Sequence, residues 1–118
     1  MPFAFDSRVQ DGVLYLTFTG DLLGDTESDA VLLLAETHIS AGITFALADL
    51  HQVRLLNSSG LSTLIGLLTR FRTAGGELLL VNPSPALRKL LVITRLEAIF
   101  TLVGSVEEAE EQLRTLAG

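Results

Sequence analysis

Two adjacent serines stand out in the segment LLNSSGLSTL, residues 55–64, because they interrupt an apolar run that a turn residue would normally end. A serine hydroxyl at a helix start accepts a hydrogen bond from a free backbone N–H, so we expect Ser59 to cap the helix that follows. Ser58 is then exposed just before the first turn. A phosphate on Ser58 would be stabilised by the helix dipole and the free N–H groups, and Gly60 would leave room for its approach.

A catalytic role for Ser58 is the alternative to capping or phosphorylation. A nucleophilic serine needs a base, usually histidine, and the chain has only His38 and His51. His38 falls in a predicted helix and is expected at the surface, whereas His51 could come near Ser58. The NSSGL segment lacks the G-x-S-x-G pattern of a nucleophile elbow. The sequence therefore predicts a protein that is not an enzyme.

Acidic residues crowd the segment that contains Asp21, Asp25, Glu27 and Asp29, but the calcium-loop pattern is missing. Acids near a helix N-terminus favour the helix dipole, and the acidic run over 107–111 is typical of a solvated helix face. No phosphate-binding P-loop motif occurs. We therefore expect no metal and no cofactor.

The overall composition limits the remaining functions. The 118 residues suffice for one domain, spanning 1–118, and nearly half of them are hydrophobic. The formal net charge of −6 argues against binding to nucleic acids or to anionic membranes. The chain has no cysteine, which excludes disulfides and zinc–thiolate sites. No signal peptide or bilayer-spanning apolar stretch is visible, so we expect a cytoplasmic protein.

Hydrophobic periodicity predicts the elements that position the serines. The predicted elements are a hairpin over 3–20 that turns at Asp11-Gly12, a helix over 24–42, a strand over 43–50 that VRLL (53–56) extends or flanks, a helix from 59 or 60 to 73, a strand over 77–81, a helix over 82–94, a strand over 98–102 and a helix over 105–118. The order is ββαβαβαβα. Alternating helices and apolar strands predict a single α/β domain with a mixed sheet, mostly parallel after the hairpin, on which the helices pack.

Caps and apolar stripes define these helices more closely. Asp25 or Thr26 is expected to cap the first helix, Ser84 the third, and Ser105 with Glu108 is expected to form a capping box for the fourth. The expected buried faces are Ala30, Leu33, Leu34 and Thr37 in the first helix; Leu61, Leu64, Ile65, Leu68 and Phe71 or Arg72 in the second; Leu87, Leu90 and Leu91 in the third; and Val106, Ala109, Leu113 and Leu116 in the fourth.

The segments LADL (47–50), NSSGL (57–61), AGGELLLVNPSPALRKLL (74–91) and RLEAIFTLVGSVEEAEEQL (95–113) make the chain resemble a STAS domain, the fold of bacterial anti-sigma factor antagonists. The resemblance covers almost the whole chain. It implies that the unphosphorylated protein binds an anti-sigma factor, often an ATP-dependent serine kinase, and so frees the sigma factor. It also implies that the kinase phosphorylates the first serine, here Ser58, and that a PP2C-like phosphatase resets the system.

Two positions depart from the family pattern. Asn57 stands where the family usually has aspartate, and Asp49, at the end of the predicted third strand, could partly substitute for that charge. The common G-E-L-D after the second strand is GDLL here, so Asp21 matches the acid and Leu23 replaces an aspartate. The resemblance implies a partner-binding surface made of Asp21, Leu23, Asp49, Asn57, Ser58, Ser59, Gly60 and Leu61.

Other roles and states remain open at this point. A STAS domain that is not phosphorylated could serve as a scaffold, or as an accessory module of a signalling or lipid-transport complex. A nucleotide-binding role is neither supported nor excluded by the sequence. We expect a monomer or a weak dimer, and exposed apolar residues near Leu22, Leu23 and Leu61 could mark a partner or dimer surface.

Overall fold

The structure, a computed structural model, describes residues 1–117. Its elements are β1 (Ala4–Gln10), β2 (Val13–Leu22), α1 (Thr26–Ser40), β3 (Phe45–Leu56), α2 (Ser58–Thr73), β4 (Glu77–Val81), α3 (Pro85–Ile93), a short 3-10 helix (Leu96–Ala98), β5 (Thr101–Val103) and α4 (Val106–Ala117). The predicted order ββαβαβαβα is confirmed.

The strands form one mixed sheet in the order β1-β2-β3-β4-β5. β1 and β2 are the predicted antiparallel hairpin, and Asp11 and Gly12 adopt the positive φ angles of 52° and 76° that its tight turn requires. The pairs from β2 to β5 are parallel, and helices connect these strands. This is the α/β class that the sequence predicts.

The third strand is longer than its apolar run, which ends at Leu50. β3 continues to Leu56, and residues 52–56 pair with the distal half of β2 through two register shifts. The extension occurs because β2 continues to Leu22 and provides backbone hydrogen-bond partners for residues 52–56, although most of these are exposed. As a consequence, Asp49 lies inside the strand and not at its end.

Two apolar layers cover the sheet. The larger core joins one sheet face to α1, α2 and α3, with Leu14, Phe18, Leu64, Phe71 and Leu91 among its buried members. α4 covers the opposite face alone. The predicted face of α2 is largely correct, because Leu64, Leu68 and Phe71 are buried and Leu61 and Ile65 are partly buried. Arg72 is exposed and pairs with Glu77 at 3.0 Å.

The buried face of α1 differs from the prediction. Ser28, Val31 and Ala35 are buried, whereas Leu33 is 63% exposed. Three consecutive leucines at 32–34 fit more than one helix face, so the periodicity alone could not select the face that meets α2 and the sheet. The predicted N-cap is confirmed in Asp25, whose carboxylate accepts from the backbone N–H of Glu27 and of Ser28.

The C-terminal part also differs in detail. The segment predicted as a strand over 98–102 yields only β5, Thr101–Val103, because this strand pairs with just the last three residues of β4. In α4, Ala109 and Leu113 are buried, but Leu116 is 57% exposed beyond the edge of the apolar layer. Ser84 caps α3 as predicted. Among residues 1–117, none of the helices combines the length and the apolar character that crossing a membrane requires.

Candidate functional site

The first turn of α2 is organised by Asn57 and not by a serine. Asn57 has extended backbone angles, its Oδ1 accepts from the N–H of Gly60 at 2.8 Å, and its carbonyl accepts from the N–H of Leu61 at 2.9 Å. The predicted cap at Ser59 is wrong, because Ser58 and Ser59 both lie within the helix and an N-cap residue must stay outside helical geometry. Asparagine is among the most favourable N-caps.

Ser58 is the first residue of α2 and is exposed. Within residues 1–117, its hydroxyl forms no hydrogen bond, and its carbonyl accepts from the Ser62 hydroxyl at 3.0 Å. The first turn of α2 contains no acidic residue. Backbone N–H groups at the start of a helix have no partner within the helix, so this end carries a partial positive charge. The arrangement thus presents a free hydroxyl beside a site that favours an anion.

The loop after β2 lies directly against this turn. The Nδ2 group of Asn57 donates to the carbonyl of Leu23 at 3.4 Å. Gly24 has a φ of 79°, and a Cβ there would come within 2.4 Å of the Ser59 Cβ. Leu23 is 44% exposed at this contact. The structure therefore brings Leu23, Asn57 and the two serines together.

Gly60 has a structural role that differs from the expected one. It is buried, and a Cβ at this position would lie 1.9 Å from the carbonyl oxygen of Leu22. The space that its missing side chain leaves is filled by the β2 backbone and is not open to a phosphate. Leu61 is partly buried against the larger core, so it is more a packing residue than an exposed one.

Asp21 is almost buried, and its carboxylate is held by two cations. Oδ2 lies 2.8 Å from the amino group of Met1, and the Arg54 guanidinium binds both carboxylate oxygens at 3.2 and 3.3 Å. The bond from the Met1 amino group, and next the bond from Arg54, lower the pKa of Asp21 below its usual value. This carboxylate thus stays ionised and ties the end of β2 to Arg54 on β3.

Asp49 lies away from the serines. It precedes Asn57 by eight residues, nearly all of them within β3, which corresponds to about 26 Å at the usual rise per residue of a strand. Its Oδ1 accepts from the backbone N–H of His51 at 3.0 Å. The expectation that Asp49 could replace the missing charge at position 57 is therefore wrong.

Neither histidine is joined to Ser58 by a hydrogen bond in the described part of the chain. His51 is exposed within β3, seven residues before Ser58, and cannot reach it along an extended strand. His38 is half-buried, and its Nδ1 lies 2.9 Å from the Leu34 carbonyl. Within residues 1–117, Ser58 therefore lacks the hydrogen-bonded histidine that a nucleophilic serine usually needs.

The sequence predicted that VRLL extends or flanks the third strand, and it does extend β3, but its contribution to the site was not predicted. Leu55, two residues before Asn57, is 51% exposed, and Arg54 is exposed beside Asp21. A groove of about 200 Å³ runs between this end of β3 and α3, lined mainly by Leu55, Leu56, Leu87 and Leu90. The VRLL run was the available signal, because its two leucines follow the charged Arg54 and precede a helix cap. Within residues 1–117, no cluster of potential metal ligands occurs.

Known proteins match both the sequence and this architecture. Residues 4–109 match the family model described as the STAS domain. Protein TM1081 of Thermotoga maritima is similar to the chain at 22% identity and a TM-score of 0.84, with coverage of 93% of this chain and 94% of TM1081.

Two further solved structures are of different kinds of protein. Unphosphorylated SpoIIAA, an anti-sigma factor antagonist from Bacillus, matches at 22% identity and a TM-score of 0.74, covering 94% of this chain and 98% of SpoIIAA. The murine anion transporter Slc26a9 matches at 15% identity and a TM-score of 0.73, covering 96% of this chain but 22% of the transporter. At these identities the matches establish a shared fold.

Proposed function

Since the chain belongs to the STAS domain family, we propose that it is an anti-sigma factor antagonist regulated at Ser58. In this proposal the unphosphorylated protein binds an anti-sigma factor of the serine-kinase type in the bacterial cytoplasm and frees the sigma factor. Phosphorylation of Ser58 by that kinase ends the association, and a PP2C-like phosphatase restores the binding form. The protein itself catalyses no reaction.

The exposed hydroxyl of Ser58, which no described residue binds, is the single observation that carries this proposal. Because Asn57 supplies the cap, Ser58 is not needed to hold the helix and is available to a kinase. Similar structures lend support, since SpoIIAA has been solved in an unphosphorylated and in a phosphorylated form.

The surroundings of Ser58 explain how a phosphate could act as a switch. Leu23, which contacts Asn57, and Leu55, two residues before Asn57, are large exposed apolar side chains, typical of a surface that a partner covers. A phosphoserine adds nearly two negative charges, which must lose their hydration when such a surface is covered. The same charge is tolerated in the free protein, because the start of α2 favours an anion.

Asn57 keeps most of what an aspartate would provide to the fold at this position. Its side-chain oxygen caps the helix as a carboxylate would, and its amide also donates to the Leu23 carbonyl, which a carboxylate cannot do. We propose that the kinase supplies the groups needed for phosphotransfer, and that Asn57 fixes the loop against the serines. An Asn57→Asp variant should then remain a substrate.

Mass spectrometry after incubation with the cognate serine-kinase anti-sigma factor and ATP tests the proposal. We expect one added phosphate on the wild-type chain, none on Ser58→Ala and one on the matched control Ser59→Ala. Calorimetry should give weaker binding of Ser58→Asp to the anti-sigma factor than of the wild type. A phosphate on Ser59, or equal affinities for wild type and Ser58→Asp, would contradict the proposed switch.

A second candidate function is favoured by the similarity to Slc26a9, in which a comparable domain makes up about a fifth of a transporter chain. In that case the protein is a scaffold or accessory module that is not modified. The same experiment separates the two functions, because an accessory module would bind its partner and gain no phosphate. Binding that is unchanged in Ser58→Asp would likewise favour the scaffold.

A further inference from the structure

β1 lies at one edge of the sheet, and its outer side pairs with no described residue. This strand is seven residues long and almost entirely exposed. Exposed edges of this length are open to pairing with another strand, and proteins commonly shield them with charges, bulges or covering loops. β1 carries one charge of each sign, Asp6 and Arg8, placed symmetrically on either side of Ser7.

The hairpin geometry determines which backbone groups face outward. Gln10 and Val13 flank the two-residue turn and therefore exchange both of their backbone hydrogen bonds. Such pairs alternate along an antiparallel ladder, so Arg8 and Asp6 also direct their N–H and C=O groups toward β2. The groups that face away from β2 belong to the residues between them: Phe5, Ser7 and Val9.

A second copy of β1 matches this pattern when it runs antiparallel and the two-fold axis passes through Ser7. Phe5 then pairs with Val9 of the second copy, and Ser7 pairs with itself, so every outward-facing residue in the middle of the strand gains its backbone bonds. Asp6 falls opposite Arg8 of the second copy, and the symmetry makes this opposite-charge pair twice. Such cross-strand pairs stabilise a sheet, and like charges directly opposite destabilise it.

Neighbouring two-fold registers lack this complementarity. Moving the axis to Asp6 places Asp6 opposite its own copy, and moving the axis to Arg8 does the same for Arg8. Both shifts also shorten the ladder, because Ser7 is the central residue of the strand. The charges therefore favour one register and one orientation.

We propose that β1 is the dimerisation edge of this protein, and that two copies join in the Ser7-centred register to form a continuous ten-stranded sheet. The interface uses none of the residues of the Ser58 site. Dimerisation can therefore fail without affecting the proposed phosphorylation, and the reverse also holds.

Analytical ultracentrifugation of charge variants tests this edge. The wild type should dimerise reversibly, and Asp6→Arg and Arg8→Asp should each raise the dimer dissociation constant about tenfold, because each replaces two attractive pairs by two repulsive ones. The double variant Asp6→Arg/Arg8→Asp should restore dimerisation, since it re-forms the pairs with reversed polarity. The exposed substitution Glu107→Arg changes the net charge as Asp6→Arg does and should leave the dimer unchanged.

A wild type that stays monomeric up to about 1 mM would overturn the proposal. A dimer that both single variants leave intact would overturn it as well, because the copies would then meet elsewhere. The two single variants change the net charge in opposite directions, so a common effect on both cannot come from general repulsion between copies.

Cross-linking tests the register, because the chain has no cysteine of its own. In the proposed dimer the two Cα atoms of residue 7 lie about 5.5 Å apart, within the range that a disulfide spans. Ser7→Cys should thus form a disulfide-linked dimer on mild oxidation. The control Gln10→Cys should not, because its counterpart lies about 20 Å away along the ladder. Equal cross-linking of both variants, or of neither, would exclude the Ser7-centred register.

Discussion

The starts of α2 and α4 both follow a strand and both contain serine, yet they are built in opposite ways. At α4 local side chains bind the backbone N–H groups of the helix start. The Ser105 hydroxyl accepts from the N–H of Glu108 at 3.1 Å, and the Glu108 carboxylate accepts from the N–H of Gly104 at 2.9 Å. The first turn also contains two acids. At α2 one neutral amide caps the helix, the first turn contains no acid, and no residue within 1–117 binds the Ser58 hydroxyl.

The two starts also differ in what holds them to the sheet. α2 is held by close backbone packing, since Gly60 abuts the Leu22 carbonyl. α4 is held by side chains, including the hydrogen bond from the Tyr15 hydroxyl to the Glu110 carboxylate. The start of α4 therefore already has acidic side chains that offset its partial positive charge. The start of α2 is fixed by close packing and can accept an added negative charge.

The largest effect is expected from adding a methyl group at the α2 start. Gly60→Ala should lower the free energy of unfolding by about 3 kcal/mol, because the new Cβ would overlap the Leu22 carbonyl and force the β2 end away. Gly104→Ala, before α4, should change it by less than about 0.5 kcal/mol, since its Cβ would have 3.5 Å to the nearest atom. Urea unfolding measures both changes in free energy. Equal losses of stability in the two variants would show that the two helix starts do not differ in packing.

An intermediate effect is expected at the side-chain contact that holds α4. Burial, and next the bond to Glu110, raise the pKa of Tyr15 to about 12. Tyr15 is the chain's only tyrosine, so phenolate absorbance reports it alone, and the folded protein should titrate about two pH units above the urea-unfolded chain.

The stability of the protein should fall at high pH, because the fold favours the neutral form of Tyr15. The contribution of Tyr15 to stability is fully present below its unfolded pKa near 10 and is lost as the pH rises toward about 12. Tyr15→Phe should lack this loss and should cost about 1.5 kcal/mol at neutral pH, the usual value for a hydrogen bond to a charged group. Titration of the folded wild type near pH 10 would show that the contact is absent.

The smallest effect is expected from removing the caps. Asn57→Ala and Ser105→Ala should each lower the free energy of unfolding by about 1 kcal/mol. The loss should be greater for Asn57→Ala, because that change also removes the bond to the Leu23 carbonyl. Amide hydrogen exchange should accelerate at Gly60 in the first variant and at Glu108 in the second. A cost at Ser59→Ala that matched the cost at Asn57→Ala would restore Ser59 as the cap.

The sequence by itself determined the order of elements, the α/β class and the segment that holds the exposed serine. Those features depend on local periodicity and turn chemistry, such as the spacing of leucines in α2 and the Asp11-Gly12 turn, which neighbouring residues determine. The caps Asp25, Ser84 and Ser105 were predictable for the same reason, since each acts within one helical turn.

Only the tertiary structure decided the details that depend on residues far apart in sequence. Asn57 bonds to the Leu23 carbonyl, and Gly60 is a packing residue, because the β2 end lies against α2. Asp49 lies away from the serines because β3 continues beyond its apolar run, where residues 52–56 pair with β2. The buried face of α1 was likewise chosen by the elements it meets, since leucines at 32–34 suit several faces. Such choices belong to packing and strand pairing, which no local pattern encodes.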